Sequence, residues 1–224
     1  MSRVIEVHES AFAGNDQIAA TLRAQLAANG VTMLNVMSSP GSGKTTLLSA
    51  LIPRLKERIR VAVMDVDIAT SLDADRVENA TGVRCLQIHN GGLCHIDAQM
   101  TKTCIDTFGV EDTDLLILEN IGNLVCPAEF DTGAHYNIML LSVPEGDDKP
   151  LKYPLMFKVC DLVLITKIDT MPVFNFDLQR CRERIARLNP HARVLCVSAI
   201  TGQGMDELEQ TIEQMMQKEK NEHA

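Results

Sequence analysis

A chain of 224 residues, 46% hydrophobic and 23% charged, has a globular composition with enough apolar material for a buried core. Its net charge of −9 at pH 7 argues against broad capture of nucleic acid or of an anionic membrane, since either needs a basic face. No run approaches the ~20 apolar residues that span a bilayer, and charges interleave through Met1 to Glu9 where a signal-peptide core would lie, so a cytoplasmic protein is expected.

With no long Pro/Gly/Ser-rich linker, one domain is expected over 1–224, with a leading segment and helix over 1–30 and a polar tail that frays over 219–224. Ile18, Leu22 and Leu26 stand at near-helical spacing before Asn29-Gly30, which predicts a helix over 16–28. A strand-like apolar run at 31–37 and an amphipathic helix at 47–56 follow. Six further strand-like runs lie at 61–67, 84–89, 114–119, 137–143, 161–166 and 193–198, with helices over 72–80, 95–108, 176–188 and 205–218 between and after them. Most of these strands are continuously apolar, as strands covered on both faces are. The expected fold is α/β, a mostly parallel seven-stranded sheet flanked by helices on both faces, with ligands at the carboxyl ends of the strands.

The first strand and helix are joined by Ser38-Ser39-Pro40-Gly41-Ser42-Gly43-Lys44-Thr45-Thr46. A Gly-rich turn ending in Gly-Lys-Thr at such a junction is a P-loop, with Ser38 where the usual pattern has its first glycine. Gly41, Ser42, Gly43 and Thr46 supply backbone N–H groups for phosphate oxygens, Lys44 adds a full charge, and Thr45 is placed to ligate Mg²⁺. A P-loop NTPase follows.

Two acidic strand ends complete that chemistry. Glu119 closes an apolar strand and Gly122 follows shortly, the arrangement of a Mg²⁺-holding carboxylate and a switch whose backbone N–H meets the γ-phosphate. Asp65, Asp67 and Asp73 form a second cluster, of which Asp67 and Asp73 are candidates for the Mg²⁺ shell. Thr166-Lys167-Ile168-Asp169 looks like the guanine-recognition motif, in which the Asp169 carboxylate accepts from guanine N1–H and the 2-amino group. Adenine would leave that carboxylate unpaired, so GTP/GDP is expected, with discrimination of up to ~10⁴-fold. Thr166 replaces the commoner Asn. Ser198-Ala199 resembles the short motif whose backbone N–H meets guanine O6.

Seven cysteines without a secretion signal are expected to stay reduced. Cys85, Cys160 and Cys196 lie in or beside apolar strands and read as small core residues, while Cys104 and Cys181 on helices carry no assigned chemistry. Cys94-His95 follows Asn90-Gly91-Gly92 and is expected to open a helix whose N-terminus favours the thiolate. With Cys126, which precedes Pro127, these residues suit Ni²⁺ or Zn²⁺, although spacing alone also allows two loop cysteines and a helix-capping histidine. Three ligands leave an incomplete shell, to be filled by water or by a second copy across a two-fold axis.

With these residues assembled, nearly the whole chain resembles the P-loop metal-chaperone GTPases, in particular those that incorporate nickel into hydrogenase. The specific segments are Cys94-His95-Ile96-Asp97-Ala98, the run from Glu119 through Cys126 to Ala128, and Glu145-Gly146-Asp147-Asp148-Lys149-Pro150. Lys44, Glu119 and Gly122 are expected in catalytic roles, and with no obvious catalytic Gln or arginine finger GTP hydrolysis is expected to be slow. The resemblance implies a nickel or zinc site of Cys94, His95 and Cys126 at the interface of a GTP-dependent homodimer. It also implies hydrogenase maturation proteins and the hydrogenase large-subunit precursor as partners. Residues 1–12 hold His8 and no cysteine, so the N-terminal nickel-binding and storage tracts of some members are not expected. Urease-maturation GTPases are the nearest alternative, but they carry Cys-Pro-His where Cys94 and His95 are adjacent. A regulatory GTPase with a structural zinc site, and a P-loop kinase or ATPase, are the other classes.

Overall fold

The computed structural model describes residues 9–66 and 72–222, excluding the side chains of residues 9–12, 72 and 73. Asp67 lies outside the described residues and Asp73 is described in its backbone alone. In chain order the elements are α1 (Glu9–Ala28), β1 (Thr32–Ser38), α2 (Lys44–Leu55), β2 (Val61–Val66), α3 (Leu72–Thr81), β3 (Arg84–Ile88), α4 (Ala98–Phe108) and β4 (Leu115–Gly122). They continue with β5 (Tyr136–Ser142), α5 (Lys149–Lys152), α6 (Pro154–Lys158), β6 (Leu162–Thr166), α7 (Leu178–Leu188), β7 (Arg193–Cys196) and α8 (Met205–Glu222).

The seven strands pair in the order β3-β2-β4-β1-β5-β6-β7. Every neighbouring pair is parallel. Alternation along each strand sorts side chains to two faces. On β1, Leu34 and Val36 join Leu47, Leu48 and Leu51 of α2 and Leu208 and Ile212 of α8. Met33 points the other way, to Leu22 and Leu26 of α1 and Ile105 of α4, and Met37 to Phe157 of α6 and Ile185 of α7. Both faces are therefore covered, which is why the strands read as unbroken apolar runs.

One polar line crosses this core. The buried Asn35 accepts from Asn120 Nδ2 at 2.9 Å and donates to Asn137 Oδ1 at 2.8 Å, joining β4, β1 and β5 side by side. Paired in this way, the three amides are hydrogen-bonded within an apolar layer where unpaired ones would each cost stability.

Several boundaries differ from those the sequence suggests. Helix α1 starts at Glu9 rather than 16, and Ala13 and Gly14 just before the expected start are exposed, so no apolar period marks that turn in the sequence. Helix α4 starts at Ala98 rather than 95, because Asp97 is its N-cap and accepts from Met100 N at 2.8 Å. At the other end, α8 runs to Glu222 through the expected fraying tail, and Glu219 Oε2 lies 4.0 Å from Nε2 of the buried His135. Strand β4 extends to Gly122, with an irregularity that sets Val36 opposite Glu119 and Ser38 opposite Gly122. The extra residue on β4 re-aims the strand end, as a bulge does beside a site.

Candidate functional site

The P-loop turns between Ser38, the last residue of β1, and Lys44, the first of α2. Gly43 caps α2 in the left-handed region at φ 96°, where an L side chain would be strained. Lys44 Nζ donates to Ser38 Oγ at 2.9 Å. Thr45 Oγ1 donates to Glu119 Oε1 at 2.8 Å, so the first turn of α2 meets the end of β4. Glu119 is 3% exposed and Asp65, its register partner on β2, is 2% exposed. Two buried carboxyl groups and a hydroxyl form a hard-oxygen donor set that suits Mg²⁺. These groups open into a cavity of about 500 Å³ lined also by Lys44, Arg76 and Gly122. Arg76, on α3, brings a cation to this cavity that no motif in the sequence announces.

A second cavity of about 260 Å³ is lined by Thr166, Lys167, Asp169, Ser198, Ala199 and Ile200. Gly43, Thr46 and Lys167 line both spaces, so the two adjoin along the P-loop. Thr166 fills the place of the commoner Asn by donating to Ser42 O at 2.9 Å, which braces the P-loop from β6. Lys167 sits at φ 57°, the one non-glycine residue at positive φ among the described residues, and its Nζ donates to Gly41 O at 2.7 Å. Asp169 Oδ1 accepts from Ser198 Oγ at 2.6 Å, which fixes the carboxylate in its loop. Ser198 N–H is donated to Gln203 O at 2.9 Å, leaving Ala199 N–H as the backbone donor of that pair for a base.

The cysteines separate as their surroundings dictate. Burial raises the Cys85 and Cys181 thiols to about 12 and holds Cys160 well above the ordinary range, so these three are protonated packing groups. Cys94 and Cys126 are in mutual contact, Sγ to Sγ at 2.8 Å, and the Cys94 thiol beside it raises Cys126. Gly91 and Gly92, at φ 72° and 86°, turn the loop, and Asn90 Nδ2 holds it by donating to Leu93 O and His95 O. Cys126 begins a 3₁₀ turn, Cys126–Ala128, just past the end of β4. His95 Nδ1 is 3.9 Å from Cys94 Sγ, and its ring lies flat on Phe130, centroids 3.8 Å apart at 7°.

The expected helix N-terminus is not at Cys94. It is at Ala98, whose N–H goes to Asn15 Oδ1 at 2.9 Å, so Cys94 lies in the loop before the helix and not at its N-terminus. Among the described residues, no three His, Cys, Asp or Glu side chains form a metal-holding group. The donor types of Cys94, His95 and Cys126 nevertheless fit a soft or borderline ion. Two thiolates on one tetrahedral ion at ~2.3 Å bonds stand ~3.7 Å apart, so the thiols at 2.8 Å would have to part to admit one.

A model of the CobW/HypB/UreG nucleotide-binding domain matches residues 32–196. The chain is also 43% identical over 205 residues to the hydrogenase maturation factor HypB of Escherichia coli K12, covering 92% of this chain and 70% of that one. The chain belongs to the HypB family. Similarity to the hydrogenase/urease maturation factor HypB of Helicobacter pylori J99 is 43% over 199 residues, 87% of this chain and 81% of the relative. The crystal structure of HypB from Helicobacter pylori in complex with nickel superposes with a TM-score of 0.86 at 40% identity, covering 92% of this chain and 96% of that one. The HypB fold is thus a P-loop nucleotide-binding domain, and among the described residues no helix is long and apolar enough to cross a membrane.

Proposed function

We propose that this HypB-family protein hydrolyses GTP and acts as a nickel chaperone in [NiFe] hydrogenase maturation, its metal binding and homodimerisation set by nucleotide state. The observation that carries this reading is that the end of β4 and the short segment after it run from one site to the other. Glu119 touches Thr45 at the phosphate cavity, Cys126 touches Cys94, and only Asn120 through Val125 lie between them. Movement of Gly122 toward a γ-phosphate would shift the Cys126 thiol relative to Cys94.

Within the reaction the chain's own groups have separable tasks. Lys44 leaves Ser38 for the β- and γ-phosphates, and backbone N–H groups of Gly41 to Thr46 surround them. Thr45, Glu119 and a carboxylate of the Asp65 cluster would hold Mg²⁺, which neutralises charge developing on the phosphoryl oxygens. Asp169 and Ala199 recognise guanine. Cys94, His95 and Cys126 hold the cargo nickel, with zinc as a competing ion, and a second copy or water supplies the remaining ligands. The hydrogenase large-subunit precursor and other maturation proteins are the proposed partners.

The nickel complex of the Helicobacter pylori relative supports nickel as cargo. That organism's hydrogenase/urease maturation factor favours a second reading, delivery to urease as well. The test is a deletion strain. Loss of hydrogenase activity rescued by added nickel or by the wild-type gene, but not by Cys94→Ala with Cys126→Ala, supports the proposal. Full complementation by that double variant at normal nickel refutes it, and parallel urease assays decide the second reading.

A further inference from the structure

The segment Glu145 to Pro150 has no task in the scheme above, although it follows β5 at the same sheet edge as the P-loop. Its first residue is half-buried and its carboxylate is fully engaged. Glu145 Oε2 accepts from Ser142 N at 2.8 Å and Ser142 Oγ at 2.6 Å, a capping box that closes the 3₁₀ turn Val143–Glu145. Glu145 Oε1 reaches the other way and accepts from the Ser39 hydroxyl, in the P-loop itself.

The Ser39 proton goes to a carboxylate, which can only accept, while Ser42 Oγ donates to the Ser39 carbonyl at 2.8 Å and lies 2.8 Å from Ser39 Oγ, so Ser42 closes on Ser39 from the other side. Ser42 is 1% exposed, and its carbonyl takes the Thr166 hydroxyl from β6. Ser39 also adjoins Ser38, which receives Lys44. Two residues on, Asp147 is anchored independently: Arg184 Nη1 of α7 donates to its Oδ1 at 2.6 Å and to its carbonyl at 2.7 Å, and Asp177 N donates to its Oδ2 at 2.9 Å. The loop after β5 is therefore fixed on α7 at one point and holds the P-loop at another.

We propose that Glu145 is a positioning residue for the phosphate-binding loop, holding Ser39 so that the turn keeps the shape that receives a nucleoside di- or triphosphate. The inference rests on the nucleotide-binding reading of the P-loop and gives the Glu145 segment a role within it. A purely local role in the β5 turn would end at Ser142.

The test is titration calorimetry of GDP with Mg²⁺, together with steady-state GTP hydrolysis, on wild type, Ser39→Ala, Glu145→Ala, Glu145→Gln and the Ser39→Ala/Glu145→Ala pair. Ser39→Ala leaves both Ser142 bonds intact and isolates the P-loop contact even where Glu145→Ala loosens the turn. Ser39→Ala and Glu145→Ala should each weaken GDP roughly tenfold, the effect of one hydrogen bond to a charged acceptor, and raise KM for GTP with kcat within about threefold. Glu145→Gln, which keeps an acceptor, should recover most of the affinity, and the double variant should be no weaker than Glu145→Ala because both remove one bond. Wild-type GDP affinity in Ser39→Ala, additive losses in the pair, or Glu145→Gln as weak as Glu145→Ala would each overturn the assignment. A wild-type protein that bound no GDP would refute the underlying nucleotide reading instead.

Discussion

Gly122 ends β4 directly beneath the P-loop, and the substitution Gly122→Ala tests whether that contact matters to catalysis. A methyl group there would stand 3.0 Å from Pro40 N, 3.1 Å from Pro40 Cα and 3.1 Å from Pro40 Cγ. Such contacts settle at about 3.5–4.0 Å, so the P-loop or the strand end must yield by roughly half an ångström. A proline cannot swing its ring away from its own backbone, and β4 is held between β1 and β2. Overpacking of this kind costs about 1–3 kcal/mol, which for a chain of this length lowers Tm by about 2–4 °C per kcal/mol. A misplacement of ~1 Å at a reacting centre costs ~10²-fold, so half that displacement predicts a loss of roughly tenfold in kcat/KM for GTP. Steady-state phosphate release with a thermal melt of the same preparation measures both. A Gly122→Ala protein with wild-type kcat/KM and Tm would show that the strand end and the P-loop are not mechanically joined.

Other perturbations act on the base-binding loop, on a glycine turn and on a surface ion pair. Asp169→Asn replaces an acceptor with a donor while leaving an oxygen for Ser198, so GTP affinity should fall by about 10³-fold or more and xanthosine triphosphate should be preferred in competition binding; equal GTP binding would refute guanine recognition at Asp169. Gly204→Ala would place a methyl group into the Cys196 carbonyl at a residue with φ 75°, and should lower Tm and GDP affinity together, since this turn carries the Gln203 O that holds Ser198 N. Acid stability should depend on Asp114, whose carboxylate is held below the usual range, chiefly by the Arg60 guanidinium. A carboxylate with a lowered folded pKa contributes stability above its unfolded value, ~3.9, and loses it as pH falls through the folded value. Urea unfolding should therefore show Asp114→Asn less stable than wild type at pH 7, with the difference shrinking steadily below about pH 4.

The seven-stranded sheet was legible in the sequence because parallel strands buried on both faces are written as continuous apolar runs, as in Leu115 to Leu118 or Leu162 to Ile165. The P-loop was legible because its glycines, lysine and threonine are adjacent in the chain. Contacts made across the fold were harder to see. The N-terminus of α4 is completed by Asn15 on α1, and Asp97 was the local signal that could have placed it at Ala98. Phe130 against His95, Arg76 in the phosphate cavity and Glu145 on Ser39 depend on which strand ends lie together, which no local pattern records. The short helices α5 and α6 were obscured by Pro150 and Pro154, which occupy first-turn positions there. Thr166 stands where Asn is commoner, and the brace its hydroxyl supplies to Ser42 is a contact across the fold that the substitution alone did not announce.

In the proposed mechanism the phosphate cavity and the Cys94–Cys126 pair are coupled through the end of β4 and the segment from Asn123 to Val125. Equilibrium dialysis of nickel against the protein saturated with GDP, and then with a non-hydrolysable GTP analogue, tests it most directly. Nickel Kd should differ between the two states, typically by ~5–150-fold for coupled sites, and bound nickel should change the ratio of analogue to GDP affinity by the same factor. Cys126→Ala should abolish that factor. One nickel affinity in both nucleotide states, with the protein binding both nucleotides, would contradict it.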